Sequence, residues 1–167
     1  MNNYESKQEI ALYPSMLKWL QMYLENEHPK AVIKTYDVHS VDLSDFIQRN
    51  KYTKYFPEYA TYKIRVDLLG MILEKDKCNL VFVEVKDTPL SLINLSQLLG
   101  YCKILMPEFA FLISPKGLAK PLSQLLVHFN RLDILEFDKN KFVRVAKWNP
   151  TRNAIEIDSI IPPLGNL

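Results

Sequence analysis

Tyr62-Lys-Ile-Arg-Val-Asp-Leu-Leu-Gly70 and, a short charged turn later, Leu80-Val-Phe-Val-Glu-Val-Lys-Asp87 are the two stretches on which the fold turns. Both are apolar runs of strand length, rich in valine, leucine and isoleucine. Each carries charge inside it: Asp67 in the first, Glu84 and Lys86 in the second. Strand interiors rarely hold such groups, because a desolvated charge is costly unless it is paired or metal-bound. Glu84 and Lys86 are two residues apart, so their side chains leave the strand on the same face. If the runs pair as a hairpin through Glu74-Lys-Asp-Lys77, Asp67 approaches Glu84.

Working outward, residues 6–25 carry Ile10, Met16, Leu17, Leu20 and Leu24 near helical spacing. Pro14 is expected to kink that helix or split it. Residues 31–38 predict a strand, and residues 40–60 read as irregular with a short helix near 43–48. Tyr62 to Leu73 predicts a strand and Asn79 to Lys86 another. The near-continuous apolar character of the latter suits a central strand covered on both faces. Ser91 to Leu105 predicts a helix, Phe109 to Ile113 a strand, and Leu118 to Phe129 a second helix. Short strands follow at 133–137 and 142–146, with an edge strand at 154–157. A helix between two strands of one sheet implies a parallel crossover. The order predicts an α/β fold: three layers, with a mixed central sheet flanked by helices.

The chain has 167 residues, 48% of them hydrophobic and 24% charged, which suits one folded domain over residues 1–167. A net charge of +2 gives no global field, so any nucleic-acid contact must come from local patches. Cys78 and Cys102 lack CxxC spacing and read as reduced thiols in a cytoplasmic protein. No basic segment followed by an apolar run marks a signal peptide, and no apolar run is long enough to span a membrane. Four glycines make no phosphate loop. His28, His39 and His128 are scattered and read as structural or surface residues.

Asp67, Glu84 and the Val85 carbonyl are hard oxygen ligands suited to Mg²⁺ or Mn²⁺. Lys86 would stand beside an attacking water, orienting it or neutralising developing charge. That is the chemistry of phosphodiester hydrolysis. The pattern of an acid on one strand and Glu-x-Lys on the next, here Asp67 and Glu84-Val85-Lys86, resembles the PD-(D/E)XK nuclease superfamily. The resemblance runs from about Glu9 to Ile113 and implies a restriction-endonuclease-like fold. It implies an accessory glutamate in the first helix at Glu9, with Glu5 as the alternative. In the helix after Glu-x-Lys it implies Gln97 supporting the site and Tyr101 the substrate strand. Val66 stands where the family commonly has proline. What the resemblance implies overall is a Mg²⁺- or Mn²⁺-dependent nuclease acting on DNA, with a homodimer as one way to cut both strands.

Cations interleave with aromatics in Arg49-Asn-Lys-Tyr-Thr-Lys-Tyr-Phe-Pro-Glu-Tyr59. Lys51 and Lys54 can contact phosphates there and Tyr52 can stack a base, with Arg65 nearby. Plainer readings stand beside these. Asp67 fits a solvent-facing strand charge, Glu84 and Lys86 an edge ion pair, and the basic stretch an ordinary loop with snorkelling lysines. A catalytically inactive nucleic-acid-binding or assembly module of the same fold, or an unrelated structural α/β protein, would carry the same elements.

Overall fold

The computed structural model describes residues 6–164; Glu5 therefore lies outside the described residues. Ser6 caps the first helix, α1 (Lys7–Glu27), by accepting the Glu9 N–H at 3.0 Å. The helix runs unbroken through Pro14. Its buried stripe, Tyr13, Met16, Leu20 and Leu24, begins one residue before the proline and holds the two halves to one surface. Of the two outcomes expected at Pro14, a kink or a split, the split does not occur.

Strand β1 (Val32–Asp37) pairs antiparallel with β2 (Leu68–Glu74), which forms a hairpin with β3 (Lys77–Val85). Lys75 turns that hairpin at φ +41°. Helix α2 (Leu43–Arg49) lies between β1 and β2 in the chain, and α3 (Leu92–Leu105) follows β3. Ser91 and Asn94 cap α3 reciprocally. Strand β4 (Phe109–Ser114) then runs parallel to β3. A short helix α4 (Lys120–Ser123), a wider turn over Gln124–His128, β5 (Glu136–Asp138), β6 (Lys141–Asn149) and β7 (Ala154–Ile155) complete the order.

The sheet runs β1-β2-β3-β4-β6-β5, with β7 also on β6, and mixes parallel and antiparallel pairs. Helix α1 covers one face, over Leu68, Val81, Val83, Phe111 and Trp148. The other face, with Leu69, Phe82 and Leu112, lies under α2, α3 and α4. The expected three-layer α/β architecture is therefore present. Gly70 on β2 lets α1 come close: a Cβ there would lie 2.8 Å from Leu24 Cδ1 and 3.0 Å from Val81 Cβ.

Three expected strands are shorter than their apolar runs; the edge strand expected at 154–157 pairs only over Ala154–Ile155, because Ile157 opens a helical turn. Residues 62–67 do not join the sheet. The Tyr62 and Ile64 carbonyls instead accept the Ser44 and Leu43 N–H groups at 3.0 and 2.9 Å, satisfying donors at the start of α2. Residues 132–135 form a helical turn, so the strand expected from residue 133 begins only at Glu136. Most of the helix expected from Leu118 to Phe129 is present as α4 and the turn after it.

Candidate active site

The register of the hairpin fixes the first two carboxylates. Leu68 faces Val83 across β2 and β3, so one step further Asp67 stands opposite Glu84. β2 begins only at Leu68, and Asp67 sits where the two strands part. There its Oδ2 accepts the Val85 N–H at 2.7 Å, replacing the main-chain carbonyl of a continuing strand. Its own carbonyl accepts the Val38 N–H at 3.0 Å. Asp67 is thus tied to the extensions of both neighbouring strands. The N–H and C=O of one strand residue point to the same edge, so the Val85 carbonyl faces the Asp67 side.

Helix α1 closes the space from one face. Glu9 is buried, and its Oε1 lies 3.6 Å from Lys86 Nζ. The same ammonium donates to Glu84 Oε1 at 2.9 Å. Four residues on from Glu9, and so on the same helix face, Tyr13 turns its hydroxyl toward Asp67 and helps to hold that carboxyl's pKa down. Ser6 donates to Asp87 Oδ2, pinning the start of α1 to the residue after Lys86.

Little solvent reaches these acids: Asp67, Glu84 and Glu9 are 3%, 4% and 4% exposed. Burial raises all three carboxyl pKa values. Glu84 rises to about 8, through burial first and the Asp67 charge second, against the opposing pull of Lys86. Glu9 rises to about 7 by burial, with Lys86 again opposing. Asp67 is raised by burial and held back by Lys86, the Val85 N–H, Tyr13 and His39. Burial opposes the charge on Lys86, but the Glu84, Asp67 and Glu9 carboxylates outweigh it and hold its pKa above the ordinary value. One ammonium therefore serves three carboxylates in a dry space.

That imbalance is the structural argument for a cation. Glu9 Oε1 is buried without a hydrogen-bond donor. Among the described residues no three acidic, histidine or cysteine side chains form a ready metal cage. Lys86 bridges Glu84 and Glu9, and one Asp67 oxygen is engaged by Val85. What remains is two carboxylates and a carbonyl. Mg²⁺ is commonly held by one or two carboxylates and several waters, so the donor set fits a hard divalent ion.

The other expected site residues are more dispersed. Gln97 Nε2 donates to the Tyr101 hydroxyl at 3.1 Å, so these two hold each other on α3. Arg65 pairs with Asp42 at 2.7 Å. Lys54 lies over the Tyr55 ring, and Lys51 is exposed at φ +62°. The Tyr52 hydroxyl meets that of Tyr36 at 2.7 Å and its ring stacks on Phe46, which turns it toward the core.

Sequence reasoning missed Tyr13, Ser6, Asp87 and His39. Tyr13 was within reach of a spacing argument, since it lies one helical turn from Glu9. Asp87 directly follows Lys86. His39 carried no signal. Only the β1–β2 pairing brings its ring within 5.4 Å of Tyr13 and near Asp67, where Asp37 holds its Nδ1.

No protein-family model, curated protein or solved structure matches the chain.

Proposed function

We propose that this protein is a metal-dependent nuclease that hydrolyses phosphodiester bonds, with DNA as the first candidate substrate. The observation that carries this reading is the convergence of Glu9, Asp67, Glu84 and Lys86 where β2 and β3 separate. Its agreement with the acid, Glu-x-Lys order of the PD-(D/E)XK superfamily supports the same reading, as does the mixed sheet with a parallel β3–α3–β4 unit.

Asp67, Glu84 and the Val85 carbonyl would hold Mg²⁺ or Mn²⁺. A divalent ion there supplies charge for the phosphoryl oxygens and a more acidic bound water. Lys86 supplies a positive charge at the same place, directing a water or stabilising the phosphorane-like charge. Glu9 keeps Lys86 oriented, and Tyr13 does the same for Asp67. Hydrolysis adds water across one P–O bond, leaving a phosphate monoester and a free hydroxyl.

The test is a cleavage assay on plasmid, linear duplex, single-stranded, branched and RNA substrates with Mg²⁺, Mn²⁺ or EDTA, with Lys86→Ala in parallel. Metal-dependent cleavage that disappears in Lys86→Ala is the expected result. A folded protein that binds nucleic acid but cuts nothing in either metal would overturn it in favour of a non-catalytic binding module.

A further inference from the structure

A second place on the molecule has the chemistry of a ligand site, and it lies on the other flank of α1. A cleft of about 580 Å³ runs between this helix and the β6–β7 turn. Ser15, Trp19 and Tyr23 line the helix side, spaced four residues apart along one flank. Trp19 and Tyr23 stack with centroids 5.5 Å apart at 16°, and Trp148 meets Trp19 edge-on from below at 6.4 Å. Lys18 stands at the rim of the helix side and Arg152 on the opposite turn. Among the described residues neither cation has an ion-pair partner. No aspartate or glutamate lines the cleft.

The turn that carries Arg152 is held in shape. Asn149 Oδ1 accepts the N–H groups of Thr151 and Arg152 at 3.1 and 3.0 Å, and Asn149 pairs with Ala154 across β6 and β7. The Arg152 backbone is therefore fixed before any ligand arrives, which lowers the ordering cost of binding.

We infer that this cleft binds a nucleotide unit: a base against the Trp19–Tyr23 pair, with its phosphate between Lys18 and Arg152. Aromatic stacking is tolerant of base identity, because every base offers a π face. Unpaired cations on both walls, with no acid between them, select an anion. Neither feature alone names the ligand class; a flat ring joined to a phosphate satisfies both. The site does not depend on the nuclease reading, because none of its residues belongs to the carboxylate cluster.

Trp19 lines this cleft and Trp148, the only other tryptophan of the chain, is buried edge-on against it, so intrinsic fluorescence reports on the cleft through Trp19. The experiment is a fluorescence titration of the whole protein in EDTA, where cleavage plays no part. The probes are thymidine monophosphate, a short oligothymidylate and inorganic phosphate. Saturable quenching by either thymidine probe, absent with phosphate, is expected. The arm that binds more tightly identifies the source as a free nucleotide or a strand. Lys18→Ala with Arg152→Ala should weaken binding about tenfold or more. For the oligonucleotide, removing each cation should flatten the dependence of log K on log salt by about 0.7. Absence of quenching by both thymidine probes would overturn the inference, as would equal quenching by phosphate alone. Unchanged affinity and salt slope in the double variant would do so too. Loss of nuclease activity elsewhere leaves all of these readings untouched.

Discussion

The two ends of the β2–β3 hairpin carry nearly the same residues and have opposite fates. At the turn, Glu74 faces Lys77 in register, with Lys75 and Asp76 between them, and all four are exposed. At the open end, Asp67 faces Glu84 with Lys86 beside it, and both carboxylates are buried. Among the described residues Glu74 has only a His28 nitrogen, at 4.0 Å, as an ion-pair partner, and it keeps 49% of its side chain in water. Charge pattern is therefore a poor guide to electrostatic consequence. What separates the two ends is the start of α1, which brings Glu9, Tyr13 and Ser6 down over one of them and dries it. A solvated pair contributes little to stability, whereas a desolvated cluster raises its own carboxyl pKa values and attracts a cation.

The largest expected effect removes the chemistry at the buried end. Glu84→Ala and Lys86→Ala should each reduce metal-dependent cleavage by about a thousandfold with the circular dichroism spectrum retained, while Lys77→Ala at the turn leaves it unchanged. Normal cleavage in either buried-end variant would end the nuclease proposal.

The next prediction loosens the helix that makes the difference. Gly70→Ala pushes against Leu24 and Val81 under α1. It should lower stability by about 1–3 kcal/mol in urea unfolding. An unchanged midpoint would mean that α1 is not seated closely on the sheet.

The pH dependence follows from the direction of the shifts. A carboxyl with a higher pKa folded than unfolded binds its proton more tightly in the folded state. Its contribution is complete below the unfolded value and is lost as pH climbs through the folded one. For Glu9 and Glu84 that loss runs from the ordinary carboxylate range, near 4.5, up through about 7 and about 8. Without metal, the protein should melt at a higher temperature at about pH 6 than at about pH 9. Mn²⁺ should restore the alkaline loss by neutralising the carboxylates, and Glu84→Gln should reduce both effects. A melting temperature that rises with pH across this window would contradict the buried-cluster electrostatics.

Tyr13→Phe removes only a hydroxyl from the support of Asp67. Mn²⁺ affinity by calorimetry should fall about tenfold, as outer partners of metal ligands commonly require. Affinity equal to wild type would make Tyr13 a packing residue alone. The smallest effect belongs to the solvated end, where Glu74→Ala should change stability by less than about 0.5 kcal/mol.

Much of this was legible in advance because periodicity is a local property. The apolar run through β3 and the capped, amphipathic stretches of α1 and α3 announce their elements regardless of context. The run from Tyr62 misled because its carbonyls are claimed by α2, a partner with no trace in the run itself. The basic stretch around Tyr52 looked like a nucleic-acid surface, yet Tyr52 packs on Phe46 and bonds Tyr36. The cleft beside Trp19 raised no signal, since Lys18 and Arg152 lie at opposite ends of the chain.

By itself, the sequence determined most of the elements and the α/β class, and it offered the hairpin as the pairing that would bring Asp67 near Glu84. Those depend on side-chain period and on strand register, and both are written into neighbouring residues. Only the tertiary structure decided which charges are dry, that Glu9 and Tyr13 reach the open end of the hairpin, that His39 stands behind them, and that a cationic aromatic cleft lies on the helix's other flank. Burial and long-range electrostatics depend on what distant segments cover, and that is settled when the layers come together.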